Sequence, residues 1–164
     1  MPAESTPDVL VIRAFGAGDR EFLARVAPRI RPAQITSPRD SEAMDRFFQA
    51  LERGRLLTEP DAEAFVATVA GEPCGLVSVH PDADHFTGHP RAYVDVLVVA
   101  EEAEGRGVGR ALMSHVEQWA QEHSCCEVVL DVFASNDRAI QFYERCGYRP
   151  DHIRMAKPLG CCLV

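Results

Sequence analysis

An almost wholly apolar run, Ala92-Tyr93-Val94-Asp95-Val96-Leu97-Val98-Val99, leads into the turn Gly105-Arg106-Gly107-Val108-Gly109-Arg110. The run suits a strand at the centre of a sheet, covered on both faces. After the turn, Val108, Ala111, Leu112, His115, Val116 and Trp119 recur at helical spacing, which predicts a helix over 107–122 with one buried stripe. Glu127 to Phe133 then reads as the next buried strand. Strand, helix and strand of these lengths form a parallel crossover unit, and its glycine turn falls at the carboxyl end of the first strand. Open α/β sheets bind their ligands at that end.

Three alternate glycines strip side chains from one face of the turn and let backbone N–H groups approach an anion. The following helix adds its positive dipole end and its unpaired first amides. Arg106 and Arg110 bring cations into the same few residues. Two common phosphate motifs do not fit. A P-loop needs Lys and then Ser or Thr after its last glycine, and this turn continues Arg110-Ala111. A dinucleotide fingerprint needs glycine at the sixth position, which is Arg110 here. A plain flexible turn stays open as the bland alternative.

The rest of the chain supplies the frame. At 164 residues it is long enough for one domain with a real core. Val9 to Arg13 is a strand candidate, and Gly18-Asp19 starts a helix through about Val26. Pro28, Pro32 and Pro38 break the next stretch, and Ser41 is placed as the N-cap of a helix carrying Met44, Phe47, Phe48 and Leu51. Ala64 to Ala70 and Gly75 to His80 read as a hairpin around Gly71-Glu72-Pro73. Asn136 to Cys146 is helical with Gly147 as its stop, and His152 to Lys157 is expected to add a last strand.

Charge and cysteines narrow the class. Lysine and arginine number 17 against 25 aspartates and glutamates, a net charge of -8. That excess disfavours nucleic-acid binding, which depends on cations at phosphates, and it would attract a cationic substrate. No apolar run approaches the ~20 residues of a spanning helix, and Met1 to Asp8 lacks a signal pattern. The expectation is a cytoplasmic protein with reduced thiols and no membrane partner. The ending Cys161-Cys162-Leu163-Val164 formally matches a prenylation box but has no basic stretch before it. The segment His80 to His89 holds three histidines and two aspartates, open to a metal site or to a solvated or substrate-lining loop.

A second motif, Asn136-Asp137-Arg138-Ala139-Ile140-Gln141-Phe142-Tyr143-Glu144-Arg145-Cys146-Gly147-Tyr148, follows the crossover unit. The turn at 104–110 is similar to the Arg/Gln-x-x-Gly-x-Gly/Ala motif of the GNAT superfamily of N-acetyltransferases. Residues 136–148 resemble that family's second signature, with Asn, a helix, Phe-Tyr and a Gly-Phe/Tyr ending. The likeness covers about residues 9 to 158, leaving 1–8 as a flexible N-terminus and 159–164 as a tail. It implies an α/β fold with a mixed, mostly antiparallel sheet of about six to seven strands, a splayed parallel pair and flanking helices.

The same resemblance implies acetyl-coenzyme A as cosubstrate. Its pyrophosphate would sit on the amides of Gly105, Arg106, Gly107, Val108, Gly109 and Arg110. Its arm would pair with the backbone of Leu97, Val98 and Val99, and Asn136 would bond the inner end of the arm. Tyr143 would be the general acid at the thioester sulfur, and an N–H near Leu97 or Val98 the oxyanion donor. Asp95 interrupts the apolar run, and an unpaired buried carboxylate is costly. It is read as general base, directly or through water, or as anchor of a cationic amine, against a structural carboxylate paired with an arginine. Asp131 is a lesser acceptor-side carboxylate. Glu104 departs from the family's Arg or Gln, and each unfavourable contact with a phosphate costs on the order of 1 kcal/mol at an exposed site.

The leading expectation is therefore acetyl transfer to a primary amine of a small cationic molecule, in a ternary complex and without a metal. Acetylation of a protein N-terminus or lysine is the second reading, and a non-catalytic acyl-CoA-binding module the third. A homodimer is left open.

Overall fold

The computed structural model describes residues 9–31, 41–55, 59 and 61–157. Both proposed termini, 1–8 and 159–164, and with them the Cys161-Cys162 ending, lie outside the described residues. The chain runs β1 (Leu10–Ala14), α1 (Arg20–Val26), α2 (Ser41–Glu52), β2 (Glu63–Val69), β3 (Glu72–Ala83), β4 (Pro90–Val99), α3 (Val108–Glu122), β5 (Glu127–Leu130) and α4 (Asp137–Arg145). Ser41 is the first residue of α2, and its side chain is outside what is described, so its capping role is too. Among the described residues no helix is long and apolar enough to cross a membrane.

The strands lie in chain order in one sheet, antiparallel except for the parallel pair β4 and β5. Two apolar layers sandwich it. On one face Val77, Val79, Ala92 and Val94 pack under Leu112, Met113, Val116 and Trp119 of α3. On the other, Leu76, Val96 and Val98 meet Phe22, Leu23, Phe48 and Leu51 of α1 and α2. Both layers are apolar, aliphatic with Trp119 on one side and Phe22 and Phe48 on the other, so the sheet centre is held by burial on each side.

Glycine is demanded where α3 crosses β3. A Cβ on Gly75 would lie 2.7 Å from Val108 Cγ1 and 3.0 Å from Leu112 Cδ1. On α3 itself, a Cβ on Gly109 would meet the Phe142 ring of α4 at 3.1 Å. The third glycine of the turn therefore serves close packing against α4.

Three expectations are corrected. The sheet of the described residues has five strands, fewer than the expected six to seven. Residues 152–157 form no strand: Ile153 and Met155 are 81% and 87% exposed, so no apolar face is buried to hold them in a sheet. β5 ends at Leu130 rather than Phe133, which leaves Asp131 exposed after the strand instead of within it. Conversely β3 runs on to Ala83 and β4 starts at Pro90, so the first four of the ten residues of the histidine-rich segment are strand. Its tip is set by Asp84, which accepts from the N–H of Phe86 and of Thr87 at 3.1 and 2.7 Å, while Arg91 pairs with Asp82 and Asp84.

A half-buried ion pair ties β1 to the residue just before α1. Arg13 donates two hydrogen bonds of 2.7 Å to the two oxygens of Asp19, and the Gly16 N–H donates to Asp19 as well. The Arg13 guanidinium holds the Asp19 carboxyl below its ordinary value, with burial opposing. The unfolded chain then binds the proton more readily than the folded one. The pair's stabilisation is complete above the unfolded carboxylate range, near pH 4, and is lost as pH falls through the lower folded value. Asp19→Asn should lose about 2 kcal/mol at neutral pH and flatten this acid dependence. Urea titrations of both proteins at pH 7 and pH 3 check it.

Candidate active site

The cradle at the start of α3 is built by backbone. Gly105 and Gly107 adopt left-handed φ of 72° and 81°, and nothing lies within 4 Å of where their Cβ atoms would be. Gly107 caps α3 with no side chain, and the first bond into it runs from the Ala111 N–H to the Gly107 carbonyl at 3.0 Å. The amides of Val108, Gly109 and Arg110 thus precede the helical ladder, as the first amides of any helix must. The Arg110 guanidinium donates to the Arg145 carbonyl of α4 at 3.1 Å, so its side chain braces the helix pair.

Glu104 is held on two sides. It pairs with Arg29, from the 3-10 turn Ala27–Arg29 after α1, and with Arg138 of α4. The Arg138 guanidinium, and after it Arg29, hold the Glu104 carboxyl below its ordinary value against burial. Arg29 also donates from Nε to the Val99 carbonyl at 3.0 Å. The anion that sequence placed beside two phosphates is thus neutralised by residues 75 positions upstream and 34 downstream, which pin the glycine turn to the 3-10 turn after α1 and to α4.

β4 and β5 pair only from Arg91 to Val94, opposite Glu127 to Leu130. Beyond Val94 the two strands are no longer paired, which is the splay that the resemblance implied. Backbone groups along β4 alternate sides. The Ala100 N–H donates to Cys74 on the β3 side, and the Val98 carbonyl faces Gly75 of β3. Leu97 therefore turns its backbone groups to the open edge, and Val99 its N–H, while the Val99 carbonyl on that edge accepts from Arg29. Val98, opposite Leu76 in the register, turns its backbone groups towards β3 instead.

Asp95 marks the start of the splay. In the register of β3 and β4, Val79 faces Val94 and Ser78 faces Val96, so Asp95 is the extra residue of a bulge. A bulge re-aims a side chain and switches the parity of the strand. Ala92 and Val94 face α3, whereas Val96 and Val98 face α1 and α2. The Asp95 side chain is 24% exposed, and its Oδ2 lies 2.8 Å from Nδ1 of His80. The structure replaces the arginine partner considered from sequence with this histidine. Burial pushes the Asp95 carboxyl above its ordinary value, more strongly than His80 pulls it back. His80 is stacked on Tyr93, with ring centroids 5.1 Å apart. Two residues earlier on the same face of β3, the Ser78 hydroxyl is buried without a hydrogen-bond partner among the described residues.

α4 presents Asn136 and Tyr143. Asn136 is the N-cap, its Oδ1 accepting from the Ala139 N–H at 3.2 Å, which leaves the amide nitrogen as its remaining donor. Tyr143 packs edge-on to Phe142 and near Tyr148, and burial pushes its phenol up to about 12. Tyr148 behaves differently: its hydroxyl donates to Glu117 at 3.1 Å, a structural bond. Asp131 lies near Tyr93, whose phenol is pushed up to about 12 by burial first and by Asp131 second. His115 packs edge-on against Phe65, as its place on α3 implied.

Asp caps a helix as well as Asn but has no amide donors. Asn136→Asp should therefore keep the melting temperature, while Asn136→Ala lowers stability by about 1 kcal/mol. If Asn136 also bonds a ligand, both substitutions weaken acetyl-CoA binding. Thermal melts and binding isotherms of the two variants separate the cap from the contact.

The family model for the acetyltransferase (GNAT) family matches residues 26–148. The chain belongs to this family of acetyl-CoA-dependent N-acetyltransferases. Among curated relatives, an aminoglycoside N(6')-acetyltransferase type 1 from Stenotrophomonas maltophilia is 27% identical over 135 residues, covering 74% of this chain and 86% of that one. The chain spans only 34% and 52% of the length of two further curated relatives. A solved structure from Pyrococcus furiosus, provisionally described as an acetyl transferase, superposes with a TM-score of 0.73 at 27% identity, covering 92% of this chain and all of that one. An aminoglycoside N-acetyltransferase, AAC(6')-Iy, solved in complex with CoA, superposes with a TM-score of 0.68 over 95% of this chain and 98% of that one. At 16% identity this last likeness is one of fold.

The residues present suit acetyl-CoA. Gly105 and Gly107 leave open space at their Cβ positions, amides precede the α3 ladder, and the open edge of Leu97 and Val99 follows β4 into the turn.

Proposed function

We propose that this chain acetylates a primary amine of a small cationic molecule, by direct attack of the amine in a ternary complex. The observation that carries the reading is a single continuous path, the unpaired edge of β4 after Asp95 running into the amide cradle of α3. When bound, acetyl-CoA supplies an acetyl group activated as a thioester.

In this reading the amides of Gly105 and of Gly107 to Arg110 hold the pyrophosphate, while the Arg106 N–H donates to the Ala103 carbonyl at 3.4 Å and its side chain adds charge. Leu97 offers its backbone groups and Val99 its N–H to the arm, and the Asn136 amide nitrogen bonds its inner end. The Leu97 N–H donates to the carbonyl oxygen as negative charge develops there. Tyr143 gives a proton to the sulfur; a phenol at about 12 is fully protonated at neutral pH and so is ready to donate. Asp95 serves the acceptor side. Support for a cationic acceptor comes from the net charge of -8 and from the aminoglycoside enzyme among the relatives.

A thiol-release screen with acetyl-CoA against polyamines, aminoglycosides, amino acids and peptides tests the proposal. Fast release with polyamines or aminoglycosides is expected. Release confined to peptides, or absent with every amine, would overturn it.

A further inference from the structure

The proton released by the acceptor needs a destination, and the β-bulge supplies a more specific one than a lone carboxylate. We infer that His80 and Asp95 act as a dyad in which His80 Nε2 takes the proton and Asp95 is the positioning residue. The inference rests on the acetyl-transfer reading above and identifies its base.

The geometry runs as follows. Asp95 Oδ2 and His80 Nδ1 are 2.8 Å apart, across two strands and 15 positions of sequence. A carboxylate only accepts, so the hydrogen of this bond sits on Nδ1 when the imidazole is neutral. That leaves Nε2 with a lone pair, and it has no hydrogen-bond partner among the described residues. The ring is held twice, by the carboxylate and by stacking on Tyr93. The bulge makes the pairing possible: without the extra residue, the β4 side chains near His80 would keep strict alternation, and the carboxylate would not be re-aimed.

The groups facing the dyad are Tyr93 from β4, Asp82 further along β3 and Glu59 from the segment before β2. Burial works against the Asp95 carboxylate, and the His80 hydrogen bond works for it. In the step itself, the acceptor nitrogen bonds to the acetyl carbon as the carbon–sulfur bond breaks and its electron pair leaves with sulfur. One N–H proton passes to His80 Nε2, and the sulfur takes its proton from Tyr143. Exchange with solvent restores both residues, so protons and charge balance over a turnover.

The test compares wild type, His80→Gln and Asp95→Asn, each first shown to keep its melting temperature, on one amine found in the screen. His80→Gln should lower kcat/KM by about 100-fold and remove the acidic limb of its pH profile. Asp95→Asn should cost less, about tenfold, and move that limb without removing it. The KM for acetyl-CoA should stay within about threefold in both. A His80→Gln enzyme that keeps the limb and most of its rate, while Asp95→Asn loses both, would overturn the dyad and make Asp95 the direct base.

A second readout does not need turnover. Nitrogen-15 NMR of the ligand-free protein should find the His80 proton on Nδ1 in wild type and a changed tautomer balance in Asp95→Asn. A proton fixed on Nε2 in wild type overturns the dyad. If no amine is acetylated, the acetyl-transfer reading fails on its own terms, and the tautomer still decides whether the dyad exists.

Discussion

Tyr143→Phe should lower kcat by about 100-fold while leaving the KM for acetyl-CoA within about threefold. The substitution removes one oxygen and keeps the ring that packs against Phe142 and Tyr148. No described residue takes a hydrogen bond from that hydroxyl, whereas the neighbouring Tyr148 donates to Glu117. Losing it therefore leaves no buried acceptor unpaired, and the melting temperature should hold. Because burial keeps the phenol protonated to about 12, any alkaline limb of kcat below that pH belongs to another group. Steady-state kinetics from pH 6 to pH 10 would check both points. An unchanged kcat would return Tyr143 to the role of a core residue.

Gly75→Val should destabilise the fold by about 2 to 3 kcal/mol, and it should do so from behind the cradle. A Cβ there would fall 2.7 Å from Val108 Cγ1 and 3.0 Å from Leu112 Cδ1. Val108 is β-branched with few rotamers to retreat into, and Leu112 is fully buried. The relief available is to lift the first turn of α3, which carries the amides of the anion site. Stability and acetyl-CoA affinity should thus fall together. Gly71→Ala is the control: its φ is 85° but nothing lies within 4 Å, so only backbone strain of about 1 kcal/mol is expected, with affinity untouched. Denaturant titrations with binding isotherms on the two variants would show it. A Gly75→Val protein as stable as wild type would mean that α3 and β3 are less closely packed than these distances say.

What sequence could and could not show divides by range. The glycine turn, α3 and the helix from Asp137 to Arg145 follow from local signals: positive-φ glycines, a helical apolar stripe, an Asn cap. The splay is half legible. Asp95 was visible as a carboxylate in an apolar run, but its place as a bulge residue depends on the register with β3, which one strand alone cannot reveal. His80 was visible only as one histidine among several in a polar segment. Its bond to Asp95 depends on β3 continuing past it, and nothing local predicts how far a hairpin extends.

Glu104 shows the same limit. Beside the turn it reads as a repulsive charge; Arg29 and Arg138, which cancel it, come from elements on either side. The last strand failed for the opposite reason. Residues 152–157 carry apolar side chains at alternate positions, but alternation makes a strand only where a partner edge and a covered face exist, and Ile153 and Met155 have neither.

The central claim is that the open edge of β4 and the glycine turn together form the acetyl-CoA site. Amide chemical-shift mapping during an acetyl-CoA titration tests it most directly. Saturable shifts are expected at Gly105 to Arg110, Leu97 and Val99 with a dissociation constant below about 1 mM, and smaller ones at Val98, whose backbone is bonded to β3. Shifts confined to other parts of the fold, or none near millimolar acetyl-CoA, would contradict it.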